Sequence, residues 1–130
     1  MKIAHVAIYT RDLKRLCEFY CRWFGGKAGS ECDNAAKSAS TCFLRFGSGA
    51  ELELMNRQEL GETVRREFAA GFTHLAFEAE TKREVETLTA QMRESGVPVI
   101  NAPRETEDGR FESCILDPDG NRVEIVAQRV

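Results

Sequence analysis

One pattern occurs twice in this chain. Ala4-His5-Val6-Ala7-Ile8 returns as Thr73-His74-Leu75-Ala76-Phe77, with histidine second in each pentapeptide and an aliphatic, an alanine and a large apolar residue behind it. The chain has no other histidine. A second echo keeps nearly the same interval. Gly49-Ala50-Glu51-Leu52-Glu53-Leu54 matches Gly120-Asn121-Arg122-Val123-Glu124-Ile125, each with a glycine four residues before a glutamate that two aliphatics flank. His74 follows His5 by 69 residues and Glu124 follows Glu53 by 71, so loop length accounts for the difference. A half-chain repeat means two copies of one supersecondary unit. Each copy brings one histidine and one glutamate, both on stretches that read as strands.

The elements repeat in the same order. In the first half, Met1–Tyr9 reads as a strand, rich in β-branched and aromatic residues. Asp12 caps a helix to Phe24, where Leu13, Leu16, Tyr20 and Trp23 recur at helical spacing and Gly25-Gly26 ends the run. A short strand is expected at Lys27–Ser30, a loop at Asp33–Ser40, and a hairpin of Thr41–Phe46 and Ala50–Met55 around Gly47-Ser48-Gly49. A linker from about 57 to 70 holds a short helix near Glu62–Ala69. The second half opens with a strand at Phe72–Glu78. Thr81-Lys82-Arg83-Glu84 is a capping box for a helix with Val85, Leu88 and Met92 on its apolar side and Gly96 past its end. Strands are expected at Val97–Asn101, Phe111–Leu116 and Arg122–Ala127. A charged loop is expected at Ala102–Gly109, and Asp117-Pro118-Asp119-Gly120-Asn121 is a turn. Both halves therefore read βαβββ: an α+β chain, module one about 1–56 and module two about 71–130, forming a single domain.

Composition narrows the function. At 130 residues with 42% hydrophobic content the chain can bury a core. A net charge of −3 without a basic stripe argues against nucleic acid. No run approaches the roughly 18 apolar residues of a membrane span. Five cysteines without a Cys-x-x-Cys pair, two of them (Cys17 and Cys21) four apart on a helix, fit a reducing cytoplasm.

Imidazole nitrogens and carboxylate oxygens are preferred ligands of divalent transition metals. His5, Glu53, His74 and Glu124 would supply two of each, leaving two positions of an octahedron for vicinal oxygens of a substrate. Strand parity puts Glu124 opposite Val123 and Ile125, and Glu53 opposite Leu52 and Leu54. Glu51 shares the face of Glu53, and only the match to Glu124 selects Glu53. A single strand histidine is more often structural than a ligand. Packing, however, does not require both histidines to occupy equivalent positions.

The repeat, the histidine and glutamate positions, Phe19-Tyr20, Leu52-Glu53-Leu54-Met55 and the turn before Val123-Glu124-Ile125 together resemble the vicinal oxygen chelate superfamily. Within it, the chain is most similar to short bacterial proteins like glyoxalase I. The resemblance covers essentially the whole chain and implies the glyoxalase/bleomycin resistance/dioxygenase fold. It maps the metal ligands onto His5, Glu53, His74 and Glu124. The four-ligand set separates this chain from extradiol dioxygenases, which use two histidines and one carboxylate, and from bleomycin-binding members, which lack the ligands.

The implied activity is a lactoylglutathione lyase-like isomerisation. A hemithioacetal of a thiol and methylglyoxal becomes a 2-hydroxyacyl thioester through an ene-diolate. The implied cofactor is one divalent ion per site, Ni²⁺ or Co²⁺ before Zn²⁺, with Glu124 as base and Glu53 as its counterpart. The partner is the small thiol adduct of an α-ketoaldehyde, and the assembly a homodimer. The thiol itself stays open, since Tyr9 stands where the family carries an arginine and Asn56 falls one residue early for the family's asparagine. Arg11, Arg45, Arg104 and Arg110 are the cations that could meet a thiol's carboxylates. The alternatives are another metal-dependent reaction of the superfamily, an epimerase or thiol transferase, and a ligand-binding protein without catalysis.

Overall fold

Alternating apolar residues and two amphipathic helices produce the same half-structure twice. The computed structural model describes residues 1–30, 32, 40–61 and 68–129. It divides into two compact units, Met1–Arg65 and Arg66–Val130.

In the first unit, β1 (His5–Tyr9) leads to α1 (Leu13–Phe24), then β2 (Lys27–Ala28), β3 (Thr41–Arg45) and β4 (Glu51–Met55). The sheet order is β1-β4-β3-β2, with β1 and β4 parallel and the other pairs antiparallel. The helix starts where Asp12 accepts a hydrogen bond from the Arg15 backbone N–H at 3.0 Å. It stops at Gly25, whose φ of 68° is a left-handed conformation that costs glycine least. Leu13, Leu16, Phe19 and Tyr20 are its buried face. They share the core with Cys42, Leu44, Leu52 and Leu54, the inward residues of β3 and β4.

The second unit repeats this with β5 (His74–Ala79), α2 (Lys82–Glu94), β6 (Val99–Glu105), β7 (Phe111–Leu116) and β8 (Arg122–Ala127), in sheet order β5-β8-β7-β6. Half of the capping box forms as expected, Thr81 Oγ1 accepting from the Glu84 N–H at 3.1 Å, while the Glu84 carboxylate accepts from the Glu80 N–H at 2.7 Å, one residue ahead of the cap. Gly96 follows the helix with φ 87°. The buried face of α2 is Val85, Thr89 and Met92, over Ile115, Val123 and Ile125. Asp117 ties the turn before β8 by accepting from the Asp119 and Asn121 backbone N–H groups at 2.9 and 2.8 Å.

The α+β class and the paired βαβββ modules expected from sequence are what the structure has. Several boundaries differ. β1 begins at His5 rather than Met1, and β5 at His74 rather than Phe72. The largest correction is at Ala102–Gly109, read as a loop: β6 runs on to Glu105. It is the edge strand, where Pro103 and charged residues do not interrupt a shared ladder, and two register shifts bend it. Leu88 is only half-buried, and Thr89 takes the core position. Most of the expected linker helix and of the Asp33–Ser40 loop lie outside the described residues; Phe68 and Ala69, at the end of that expected helix, are not helical.

Candidate metal centre

The strand parity that buries one face of each sheet presents the other. On β1 His5 faces away from α1, and on β4 Glu53 does the same while Leu52 and Leu54 point into the core. The parallel ladder sets Ala7 opposite Glu53, so the histidine sits two residues earlier on the same face. His5 Nε2 lies 3.3 Å from Glu53 Oε2. In the second unit Ala76 stands opposite Glu124 in the same register. His74 Nε2 lies 3.1 Å from Glu124 Oε2. The repeat seen in sequence is thus a repeat of side-chain geometry.

Glu51, which parity could not separate from Glu53, is engaged otherwise: Arg45 Nε stands 3.7 Å from its carboxylate. Ring orientation has local causes. The Phe43 and His5 rings pack nearly perpendicular, with centroids 5.7 Å apart. Thr73 Oγ1 lies 3.4 Å from Nδ1 of His74, leaving Nε2 for Glu124. Burial pushes the Glu124 carboxyl above its ordinary value, the repulsion of Glu112 adds to this, and His74, Arg104 and Arg110 pull it back.

Each pair fits a metal ion. Ligand atoms about 2.1 Å from one ion stand about 3.0 Å apart when cis in an octahedron, and about 3.4 Å apart in a tetrahedron. The observed 3.3 and 3.1 Å lie in that interval. All four donors are unprotonated nitrogen or carboxylate oxygen in their metal-binding forms, and the carboxylates are largely covered while the rings are more open. The structure brings together His5 with Glu53 and His74 with Glu124, each pair within its own unit.

Of the cations read from sequence, Arg11 donates to the Leu60 carbonyl at 3.0 Å and Arg110 Nε meets Asp108 at 3.2 Å. Arg45 pairs with Glu51, and Arg104 acts on Glu124 through its charge. Tyr9 is 56% exposed and shares the His5 face of β1.

The cysteines were read differently from what the structure holds. Cys32 and Cys42 are joined by a disulfide. A reducing cytoplasm would open it, and their ten-residue separation carries no motif that announces it. Cys114 was not singled out in the sequence, yet it stands opposite Glu124 in the β7–β8 ladder, its thiol pushed up by burial and then by the Glu124 charge. Among the described residues, no helix is long and apolar enough to cross a membrane.

A sequence model described as the Glyoxalase/Bleomycin resistance protein/Dioxygenase superfamily matches residues 2–125. A lactoylglutathione lyase of Escherichia coli O157:H7 is 21% identical over 99% of this chain and 94% of its own length. A glyoxylase/bleomycin resistance protein/dioxygenase domain from Frankia sp. superposes with a TM-score of 0.81 at 19% identity, covering 99% of this chain and 93% of that one. The lactoylglutathione lyase of Agrobacterium tumefaciens gives 0.68 at 25% identity, covering 96% and 92%.

Proposed function

Since the chain belongs to the Glyoxalase/Bleomycin resistance protein/Dioxygenase superfamily, we propose that it is a metal-dependent lyase of the glyoxalase I kind. Its substrate would be the hemithioacetal of a low-molecular-weight thiol and methylglyoxal. The observation that carries this reading is the duplicated His–Glu pair, in the same ladder register in both units. A lone pair of this kind is an ordinary hydrogen bond, whereas two equivalent pairs make a four-ligand set of the type a divalent ion takes.

His5 and His74 would hold the ion through Nε2, and Glu53 and Glu124 through a carboxylate oxygen each, drawn from one chain or from two. When bound, a divalent ion supplies Lewis-acid chemistry toward two vicinal oxygens. Glu124 accepts the proton from the carbon that carries sulfur. A proton is then delivered to the neighbouring carbon, by Glu124 or by Glu53 from the other unit. The sulfur-bearing carbon ends as the thioester carbonyl and its neighbour as a secondary alcohol, so the reaction is an isomerisation with no redox partner. Tyr9, two residues beyond Ala7 on the His5 face, would meet the thiol portion. The setting would be methylglyoxal detoxification in the cytoplasm by a homodimer whose chains each form one functional domain from the two modules.

The test follows thioester formation by ultraviolet absorbance with methylglyoxal and a panel of thiols, including glutathione and bacillithiol, after reconstitution with Ni²⁺, Co²⁺ or Zn²⁺. Turnover with at least one thiol, higher with Ni²⁺ or Co²⁺ than with Zn²⁺, supports the reading. Metal bound without turnover on any thiol assigns the chain to another reaction of the superfamily or to ligand binding.

A further inference from the structure

Three of the five cysteines converge inside the first unit, and a fourth stands one helical turn away beside one of them. The Sγ atoms of Cys17, Cys32 and Cys42 all lie within 4.8 Å of one another. Cys17 Sγ stands 3.8 Å from Cys42 Sγ and 4.0 Å from Cys21 Sγ. They come from separate pieces of chain: Cys17 and Cys21 one turn apart on α1, Cys42 on the inward side of β3, and Cys32 ahead of it. Cys42 is fully buried, whereas Cys17 and Cys21 are partly open. The fifth, Cys114, is in the second unit.

A disulfide requires two sulfurs and accounts for Cys32 and Cys42 only. It gives no reason for two more thiols to gather beside it. A tetrahedral thiolate site, with metal–sulfur distances of about 2.3 Å, places its sulfurs about 3.8 Å apart. The two non-bonded separations match that edge. Thiolates select soft or borderline ions such as Zn²⁺ and Cu⁺, while imidazole and carboxylate suit Ni²⁺ and Co²⁺ as well.

We propose that Cys17, Cys32 and Cys42, with Cys21 beside Cys17 as the fourth ligand, form a second metal site, a redox-gated thiolate centre for Zn²⁺ or a similar ion. In the oxidised chain the Cys32–Cys42 bond withholds two ligands and the site is closed. Two equivalents of a low-molecular-weight thiol reduce that bond: one forms a mixed disulfide with one cysteine and releases the other. The second displaces it, and the small disulfide leaves. Each freed cysteine that ligates gives up its proton to solvent as the ion binds. The ion then clamps α1 to β3, as the disulfide alone does not, because the disulfide has no end on the helix.

Co²⁺ is the probe, because thiolate ligation gives a sulfur-to-metal charge-transfer band in the near ultraviolet and intense tetrahedral visible bands. Imidazole and carboxylate ligation gives no such charge-transfer band. The full chain is reduced with a phosphine under anaerobic conditions and titrated. The expected result is a charge-transfer band that saturates at one Co²⁺ per cluster and is absent from the oxidised chain. Cys17→Ser removes it and Cys114→Ser leaves it. The double substitution His5→Ala, His74→Ala leaves it too, which separates this site from the one in the proposed function. If circular dichroism shows Cys17→Ser to be unfolded, Cys21→Ser on the same half-open helix face must lower the thiolate intensity per ion. No band in the reduced wild type, or an undiminished band in a folded Cys17→Ser, overturns the proposal. So does a band lost with the histidines.

Discussion

At the residue scale, Glu124 is asked to act twice, as ligand and as proton acceptor. Glu124→Ala should therefore cost activity by more than the roughly 10²–10⁴-fold that general base catalysis alone contributes. Tyr9→Arg, on the same side of β1 as His5, should change the preferred thiol and leave proton transfer near its original rate. Steady-state kinetics of the two variants across the thiol panel reads both outcomes; an Ala variant that keeps wild-type turnover removes Glu124 from the chemistry. The His–Glu pairs were legible because histidine is scarce here and both copies fall in one repeated context. The cysteine cluster was not legible. Cys17 meets Cys42 through α1 packing over β3, a contact that sequence separation hides, and ten residues between Cys32 and Cys42 specify no partner.

At the element scale, α2 is seated by a buried hydroxyl chain. Thr89 Oγ1 donates to the Val85 carbonyl at 2.6 Å and lies 2.7 Å from Ser113 Oγ, which is fully buried. Thr89→Val keeps the shape but strands the Ser113 hydroxyl, a loss of about 1–3 kcal/mol. Denaturant unfolding should show a lower midpoint with an unchanged slope, and Thr89→Val with Ser113→Ala should recover part of it. The N-terminal end of α2 is also tied to the edge strand, where Lys82 pairs with Glu105 and lies over the Phe111 ring. The Lys82 hydrogen bond, then its charge, holds the Glu105 carboxyl below the usual range. A depressed carboxylate stabilises the fold above its unfolded titration range, and that contribution fades as pH falls through the lower folded value. In Lys82→Ala the Glu105 carboxyl, followed by NMR, should titrate at higher pH, and an unmoved titration would dismiss the pair. Helix caps and the last strands were readable to the residue because capping and turn chemistry are local. β6 was not, because what admits Pro103 to a strand is its place at the sheet edge, a tertiary fact.

At the scale of the whole molecule, the duplicated unit was readable from spacing alone, and the family match over residues 2–125 spans both copies. Each four-stranded sheet is covered by one helix on one face, and its other face carries the His–Glu pair. A sheet this small does not enclose a ligand by itself, and exposed apolar side chains such as Phe72 and Ile100 remain. The chain should therefore sediment as a homodimer at micromolar concentration; a monomer there would contradict that assembly. The central claim is that His5, Glu53, His74 and Glu124 hold one ion together. Its most direct measurement is nickel content by elemental analysis, after reconstitution and desalting of chain kept oxidised so that the cysteine cluster stays closed. The account predicts about one Ni²⁺ per site, as a two-nitrogen, two-oxygen set would hold, and loss of that ion in His5→Ala and in His74→Ala alike. A wild type that retains no metal, or variants that retain it undiminished, would contradict the account.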